Sequence, residues 1–308
     1  MKKSIIIAVD AMGGDDSPSK IIKGIELFHQ KNKHVYFKLF GNKNLISNCV
    51  DMSVLNKDCY EIIHTEDKID NEDSALSGAK KGKNTSMWLA VESVKNKSSD
   101  IILSAGNTGA LFVIAKLNLK MIENISKPAL SGLWPNKTGM NIVLDLGANI
   151  ECDEKNLVDF SEMGSALYKS IFPDQKPYVS LLNIGSEEIK GTEILKKTYL
   201  KLKDLSSDKN FIFNGYIEGN KLMEGETNVI VTDGFTGNIA LKTAEGTAKF
   251  IIDSLKQSLT ENFISKLSIL FSYFSLKKFK SKLDPRKYNG AIFLGLNGPV
   301  VKSHGGTD

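Results

Sequence analysis

The sequence has few of the residues that build disulfides, zinc sites or membrane spans. Its three cysteines, Cys49, Cys59 and Cys152, form no C-x-x-C pair, so neither a zinc knuckle nor a disulfide framework is indicated. No uninterrupted apolar run reaches the roughly 20 residues of a membrane span. The run that follows Met1-Lys-Lys ends at Asp10, which is too early for a signal peptide. A cytoplasmic protein is therefore expected.

An excess of one charge is also missing. The 40 Lys and Arg residues nearly balance 36 Asp and Glu residues, which leaves a formal net charge of +4. Such a mild excess suits an anionic substrate or an acidic protein partner and does not single out nucleic acid. With 41% hydrophobic and 25% charged residues, the composition is that of a soluble globular protein. The 308 residues are enough for one large core, and we predict a single α/β domain over residues 1–308.

The stretch from Val229 to Gly246 shows most clearly a pattern that recurs elsewhere in the chain. An apolar run, Val229–Thr232, predicts a buried strand, and Asp233–Asn238 predicts a tight turn rich in Gly, Thr and Asn. From Ile239 the apolar residues recur at helical spacing. A strand, a turn and a helix make an anion site, because the first helical N–H groups point at the turn. An ordinary strand-to-helix turn is the alternative interpretation.

The same order of a strand, a glycine-containing turn and a helix is predicted elsewhere in the chain. A predicted strand, Ile101–Ala105, is followed by Gly106-Asn-Thr-Gly109 and an apolar helix. Two further predicted strands end in an acidic residue beside glycines, at Asp10 and at Asp145. In open parallel sheets, ligands bind at the carboxyl ends of the strands. The repetition favours a pair of anion-binding turns over two neutral turns.

The elements alternate between strand and helix along almost the whole chain, which predicts a mainly parallel sheet with helices on both faces. Ser17 and Pro18 are expected to be the N-cap and first residue of a helix. Residues Gly78–Lys83 are expected to form a basic, solvated loop. Near the C-terminus, Ala291–Leu296 and Pro299–Lys302 predict two strands around a tight turn.

One segment departs from the alternating pattern. Asn262–Lys282 mixes dense aromatic and aliphatic residues with five lysines, and a protruding helical segment is predicted at about 256–285. Two interpretations stay open: a core or dimer-interface helix, or a basic amphipathic element that contacts a bilayer or an acidic partner. The residues expected to make that contact are Phe271, Phe274, Lys277 and Lys278.

Several motifs, taken in order, resemble a known family. They are DAMGGD (10–15), SAGNTGALF (104–112), LDLGAN (144–149), LLNIG (181–185), EG (218–219), TDGFTGNIALK (232–242) and VVKSHG (300–305). Together they resemble the bacterial PlsX family of acyl-ACP:phosphate acyltransferases of phospholipid synthesis. The sequence departs from that family in having Asn289 where a second glycine is usual, and relatives usually continue past Asp308.

The resemblance implies a fold, a reaction and partners. The fold would be similar to those of isocitrate dehydrogenases and phosphate acetyltransferases. The reaction would move a fatty acyl group from acyl carrier protein (ACP) to inorganic phosphate, giving acyl phosphate and free ACP, with no cofactor or metal. The resemblance further implies a homodimer, and delivery of the product to a membrane glycerol-3-phosphate acyltransferase. Direct peripheral contact with the membrane is left open.

The chemistry of such a reaction selects candidate residues. Phosphate attack on a thioester needs an anion site, donors for the developing oxyanion and a group that stabilises the departing thiolate. Asn107, Asn238, Lys242 and His304 are the catalytic candidates, with Lys242 or His304 steadying the sulfur or the phosphate charge. The candidates for binding phosphate or substrate are Asp10, Gly13, Gly14, Gly106, Thr108, Gly109, Asp145, Asn149, Asp233, Gly234, Thr236 and Gly237. Because carboxylates repel phosphate, we expect Asp10, Asp145 and Asp233 to orient loops and lysines.

Two rival functions stay open. The acidic-glycine motifs also look like the phosphate loops of sugar kinases related to hexokinase and actin, which would bind Mg²⁺-ATP. A non-catalytic scaffold that docks the acidic carrier protein would bind the carrier without turnover.

Overall fold

The structure, a computed structural model, describes residues 4–206, 210–261, 272–279 and 290–303. Contacts between Cα atoms divide the chain into two compact units, Met1–Ser131 with Gly290–Asp308, and Gly132–Asn289. The single domain over residues 1–308 stays a prediction. In the described ranges, no helix combines the length and the hydrophobicity that crossing a bilayer requires.

The first unit is built on a mainly parallel sheet. Its strands are β1 (Ile5–Asp10), β2 (Val35–Gly41), β3 (Tyr60–His64), β4 (Ile101–Ser104), β10 (Ala291–Leu294) and β11 (Val300–Lys302), in the spatial order β3-β2-β1-β4-β11-β10. All neighbours pair in parallel except β10 and β11, which form the predicted antiparallel pair. The helices are α1 (Ser19–Lys31), α2 (Lys43–Cys49), α3 (Ala75–Lys80), α4 (Ser86–Lys95) and α5 (Thr108–Leu119).

The strand order of the first unit marks a ligand-binding edge. From β1 the chain proceeds to β2 and β3 on one side, whereas β4 takes the other side of β1. The order therefore reverses between β1 and β4, and the crevice outside their carboxyl ends is where open α/β sheets bind ligands. Ile22 and Ile25 of α1 are buried in one cluster with Val9 of β1 and Leu39 of β2. This core fixes the strands whose ends carry the candidate residues.

The second unit is also mainly parallel. Strand β5 (Ala129–Pro135) enters it at Gly132, and the other strands are β6 (Met140–Leu144), β7 (Tyr178–Asn183), β8 (Ile212–Glu218) and β9 (Val229–Val231). The order is β5-β6-β9-β7-β8, with only β5 antiparallel to its neighbour β6. The helices are α6 (Glu154–Ile171), α7 (Glu193–Leu205) and α8 (Gly234–Thr260), with a 3-10 turn at Gly219–Lys221, and residues 272–279 are also helical.

The predicted α/β class with a mainly parallel sheet is confirmed, and three local predictions are wrong. Helix α1 begins at Ser19 with Pro18 as N-cap, because the Ser17 hydroxyl instead donates to the carbonyls of Met12 and Gly14. Part of the expected loop at residues 78–83 belongs to α3, which Ser74 caps through the N–H of Ser77. Residues 234–238 are the beginning of α8 and not a turn, since Asp233 caps that helix.

Candidate functional site

In the first unit, a buried carboxylate joins three elements at the ligand-binding edge. Asp10 ends β1 and is 1% exposed. Its two oxygens accept separate hydrogen bonds, from Ser86 Oγ at 2.6 Å and from Ser104 Oγ at 2.7 Å. The Ser104 hydroxyl oxygen in turn accepts from the Gly106 N–H at 3.1 Å. Asp10 therefore ties β1 to α4, to the end of β4 and to the turn after β4.

Two glycines let the loop after β1 approach the turn after β4. A Cβ on Gly13 would lie 2.5 Å from Asp10 Oδ2 and 2.7 Å from the Gly106 nitrogen, so no side chain fits there. Gly14 has a φ of 94°, a conformation that L side chains rarely adopt, and it packs on Ala105. These glycines bring two backbone segments into contact around the Asp10 carboxylate.

The turn after β4 leads directly into α5. Asn107 is the N-cap of α5, and its Oδ1 accepts from the Ala110 N–H at 3.0 Å. Its Nδ2 donates to the carbonyls of Asn71 at 3.0 Å and Asp73 at 2.7 Å. The Asn107 side chain is thus engaged at both ends. Its predicted role as a donor to substrate stays a prediction and would require one of these bonds to break.

The first turn of α5 keeps free donors. Among the described residues, the backbone N–H groups of Thr108 and Gly109 have no hydrogen-bond partner, and Thr108 is exposed. Orphan N–H groups together with the positive end of the helix dipole attract an anion. The geometry at this edge can hold a small anion next to the glycine loop.

Lys302 adds a cation to the same edge, although none of the sequence patterns singles out its side chain. The residue ends β11 and pairs with Ser104 of β4. Its ammonium donates to the carbonyl of Ala105 at 3.3 Å and to that of Ser303. Burial lowers the pKa of Lys302 to about 8, against the attraction of the Asp10 and Asp15 carboxylates. Burial also raises the pKa of Asp10, against the hydrogen bonds from the two serines.

In the second unit, a carboxylate organises the loop after β6. Asp145 is fully buried, and its Oδ1 accepts from the N–H groups of Gly147 at 3.2 Å and Ala148 at 3.0 Å. Its Oδ2 accepts from the backbone N–H of Asn149 at 2.8 Å and from Asn149 Nδ2 at 2.7 Å. These bonds hold the loop after β6 around the Asp145 carboxylate, as those of Asp10 hold the turn after β4, and the functional role of both residues stays a prediction. Whether either residue contributes to phosphate binding stays a prediction.

The beginning of α8 packs against the Asp145 loop. The Gly234 N–H donates to the Asn149 carbonyl at 2.8 Å, and a Cβ on Gly234 would lie 2.6 Å from that oxygen. A Cβ on Gly237 would overlap the Asp145 carbonyl oxygen. Asp233 caps the helix, because its carboxylate accepts from the Thr236 N–H at 2.8 Å and the Thr236 hydroxyl at 2.9 Å. Among the described residues of α8, Gly234 and Gly237 are the buried ones.

The candidate asparagines of the two glycine-rich motifs, Asn107 and Asn238, occupy different positions in their helices. Asn107 is the N-cap of α5, whereas the N-cap of α8 is Asp233 and Asn238 lies in the second turn of that helix. The Asn238 side chain is exposed and has no hydrogen-bond partner among the described residues. Its amide is therefore available, unlike that of Asn107. Lys242, farther along α8, is paired with Glu245 at 2.8 Å.

Some candidate residues fall outside the part of the chain that the structure describes. His304, Phe271 and most of residues 262–282 are among them. In the described helical piece at 272–279, Phe274 is 84% exposed, and Lys277 and Lys278 are also exposed. Within the described ranges, no group of three or more His, Cys, Asp and Glu side chains is placed to hold a metal ion.

Comparison with known proteins identifies the family. Residues 5–308 match the family described as "Fatty acid synthesis protein". A phosphate acyltransferase of Pelagibacter ubique (strain HTCC1062) is 62% identical over 308 residues, which cover 100% of this chain and 92% of that protein. A phosphate acyltransferase of Paramagnetospirillum magneticum (strain ATCC 700264 / AMB-1) is 42% identical, and the match covers 100% of this chain and 87% of that protein.

Solved structures give the same fold at low sequence identity. A phosphotransacetylase from Staphylococcus aureus has a TM-score of 0.60 and 17% identity, and the match covers 99% of this chain and 90% of that one. A branched-chain phosphotransacylase from Enterococcus faecalis V583 has a TM-score of 0.57 and 13% identity, with 99% and 93% covered. The predicted likeness to phosphate acetyltransferase folds is confirmed. With full-length relatives that are named phosphate acyltransferases, this chain belongs to the fatty acid synthesis protein family of acyltransferases.

Proposed function

We propose that the protein transfers a fatty acyl group from acyl carrier protein to inorganic phosphate, giving acyl phosphate for phospholipid synthesis. A phosphate oxygen attacks the thioester carbonyl, a C–O bond forms, and the C–S bond breaks as the thiolate leaves with the electron pair. Phosphate is itself the nucleophile, so the reaction needs no protein nucleophile and no metal. The full-length similarity to phosphate acyltransferases supports this assignment most strongly.

The glycine turn after β4 supports a phosphate site in the first unit. The free N–H groups of Thr108 and Gly109 offer donors at the positive end of α5. The nearby Asp10 carboxylate does not face an anion there, because it is buried and each oxygen is held by a serine hydroxyl. The exposed amide of Asn238, on α8, is the freer of the two candidate asparagines for donating to a developing oxyanion.

The direct test follows both products of the reaction. The protein is incubated with acyl-ACP and phosphate, free ACP is measured, and acyl phosphate is trapped with hydroxylamine. We expect turnover that survives EDTA and vanishes when phosphate is omitted. Loss on chelation that Mg²⁺ restores, together with ATP binding, would favour the kinase alternative, and carrier binding without turnover would favour the scaffold.

We also propose that the protein works as a homodimer. Helix α8 supports this, because Ile239, Phe250 and Ile251 are 50%, 72% and 42% exposed in the isolated chain. A second copy would remove such large apolar side chains from water. Light scattering should give twice the mass of the 33.9 kDa chain. Phe250→Asp should shift that mass towards the monomer if α8 forms the contact.

A contact with the membrane or the carrier protein is proposed for residues 262–282. Tyr273 and Phe274 are 51% and 84% exposed beside Lys277 and Lys278. Leu276 and Phe279 line a groove of about 210 Å³ together with Leu255 and Leu259 of α8. Apolar side chains enter the interface while each lysine contributes about 1 kcal/mol against anionic lipid. The acyl chain of the product would then be delivered at a surface, near the membrane glycerol-3-phosphate acyltransferase that would use it.

Vesicle binding separates this role from a buried interface. Binding to anionic vesicles should weaken with salt and with Phe271→Asp or Phe274→Asp, whereas Leu200→Asp, on the exposed face of α7, should leave it unchanged. If the two phenylalanine variants instead lose folding or dimerisation, the segment is an interface and the membrane role is withdrawn.

A further inference from the structure

Lys302 lies at the edge of the first sheet where the strand order reverses. It is the last residue of β11, which runs parallel to β4 and places Lys302 opposite Ser104. The next residue, Ser303, donates its N–H to the Ser104 carbonyl at 2.9 Å and extends this register. The side chain is therefore fixed beside the turn that begins at Ala105 and leads to the free N–H groups of α5.

The ammonium of Lys302 has neutral partners only. It donates to the carbonyl oxygens of Ala105, at 3.3 Å, and Ser303. No carboxylate among the described residues lies within 4.0 Å of it, although Asp10 of β1 and Asp15 of the following loop attract it from farther away. Burial lowers its pKa to about 8, because the attraction of these two more distant carboxylates does not offset the loss of hydration.

We propose that Lys302 binds the inorganic phosphate that the acyl transfer consumes, together with the first turn of α5. This inference rests on the proposed function and assigns one of its substrate contacts. A phosphate dianion would place a counter-charge in direct contact with the ammonium, in a charge-assisted hydrogen bond. Asp10 attracts the ammonium without contacting it, and its two oxygens accept from serine hydroxyls, so it does not occupy the position proposed for phosphate.

The test compares Lys302→Met with Lys302→Arg and with the control Lys38→Met. Lys38 is also a partly buried lysine of this sheet, but its ammonium is paired with Glu61 at 3.0 Å. With saturating acyl-ACP, Lys302→Met should raise the KM for phosphate by about ten- to hundredfold, the range for one charge-assisted hydrogen bond. Lys302→Arg should restore part of that loss, and Lys38→Met should leave the KM unchanged. A wild-type KM in Lys302→Met, or a loss confined to kcat, overturns the proposal.

Two further measurements test the proposal even if a variant misfolds or the protein does not turn over acyl-ACP. In the wild type, kcat/KM for phosphate should fall above about pH 8 as Lys302 loses its proton. This alkaline limb should move upward in Lys302→Arg, because arginine stays charged; an unmoved limb contradicts the proposal. Phosphate alone, without acyl donor, should raise the Tm of the wild type and of Lys38→Met but not that of Lys302→Met.

The phosphate-induced Tm shift also separates the two hypotheses. If the wild type fails to turn over acyl-ACP while the shift still depends on Lys302, the proposed reaction is wrong and the phosphate site stands. If turnover is observed and the shift survives in Lys302→Met, the reaction stands and the role of Lys302 is wrong.

Discussion

Asp10 and Asp145 both end or follow a parallel strand beside a glycine loop, one in each unit, but their carboxylates are satisfied differently. Asp10 accepts from two serine hydroxyls and the Met12 backbone, whereas Asp145 accepts from three backbone N–H groups and one side-chain amide. A hydroxyl can rotate to accept or donate, but a backbone N–H only donates. Protonating Asp10, or replacing it with a neutral residue, should therefore destabilise the protein less than the same change at Asp145.

The largest effect should come from closing the space between α8 and the Asp145 loop. A Cβ on Gly237 would overlap the backbone oxygen of Asp145, which cannot move without breaking the loop. Gly237→Ala should therefore cost more than about 3 kcal/mol in the free energy of unfolding, beyond ordinary overpacking. Urea denaturation measures this loss. A variant as stable as the wild type would mean that α8 begins differently from the described helix.

Replacing each aspartate by asparagine tests the comparison itself. In Asp145→Asn the new amide N–H groups would face N–H donors, and the charged group that accepts four hydrogen bonds is lost. We therefore expect the free energy of unfolding to fall by about 2–3 kcal/mol. In Asp10→Asn the Ser86 or Ser104 hydroxyl can turn to accept, and the loss should stay below about 1 kcal/mol. Equal losses in denaturant unfolding would contradict the distinction.

The pH dependence of the Asp10 effect has a defined sign. Burial raises the pKa of Asp10 above the ordinary value of 3.8, so the folded state holds its proton longer than the unfolded chain. The wild type therefore loses stability as the pH rises from 3.8 through the raised pKa, whereas the neutral asparagine side chain of the variant does not titrate. The stability that Asp10→Asn loses relative to the wild type should be largest near pH 4 and shrink towards pH 7. A deficit that grows with pH would show that the charged carboxylate is the favoured form.

Alanine at the two candidate asparagines should separate structure from chemistry. Asn107→Ala removes a helix cap and leaves the contacts to Asn71 and Asp73 unmade, so we expect a loss of about 2 kcal/mol in stability. Asn238→Ala should stay within about 0.5 kcal/mol of the wild type, since Asn238 has no partner among the described residues. If Asn238 donates to the oxyanion, its variant should lose about ten- to a thousandfold in kcat.

Unfolding and turnover of both variants are measured side by side. Near-normal turnover in a folded Asn238→Ala would remove Asn238 from the catalytic candidates. A stable Asn107→Ala with low turnover would mean that Asn107 contacts the substrate, as the sequence predicts.

The strands that carry both loops could be predicted from the sequence, whereas the partners of the loops could not. Apolar runs that end in Asp and glycine, at Val9-Asp10 and Leu144-Asp145, predict buried strands that end at a functional edge. The sequence does not reveal that Ser86, from α4, reaches Asp10, because that contact spans 76 positions. Nor does it reveal that β11 pairs with β4, which is what brings Lys302 to the site.

The residues at which α5 and α8 begin could not be predicted from the sequence. The Gly-Asn-Thr-Gly segment at 106–109 and the Gly-Phe-Thr-Gly-Asn segment at 234–238 have similar compositions, and both predict a turn before a helix. In the structure the side chain of Asn107 caps α5, whereas Asp233 caps α8 four residues before Gly237. The capping residue sets the beginning of the helix, and an Asp and an Asn compete equally well for that position. Which residue caps the helix therefore decides that Asn107 lies before α5 whereas Asn238 lies inside α8.

The smallest effects should come from glycines with open space, one in each unit. A Cβ on Gly24 of α1 or on Gly246 of α8 would meet no atom of the described residues within 4 Å, apart from the nearby backbone of its own helix. Since glycine in a helix interior costs about 0.5–1 kcal/mol relative to alanine, Gly24→Ala and Gly246→Ala should each stabilise the protein by about that amount. Thermal and urea unfolding measure both gains against the loss in Gly237→Ala. A gain at Gly24 with a loss at Gly246 would mean that a neighbour outside the described residues, such as a second copy of the chain, contacts this part of α8 and meets the added methyl group.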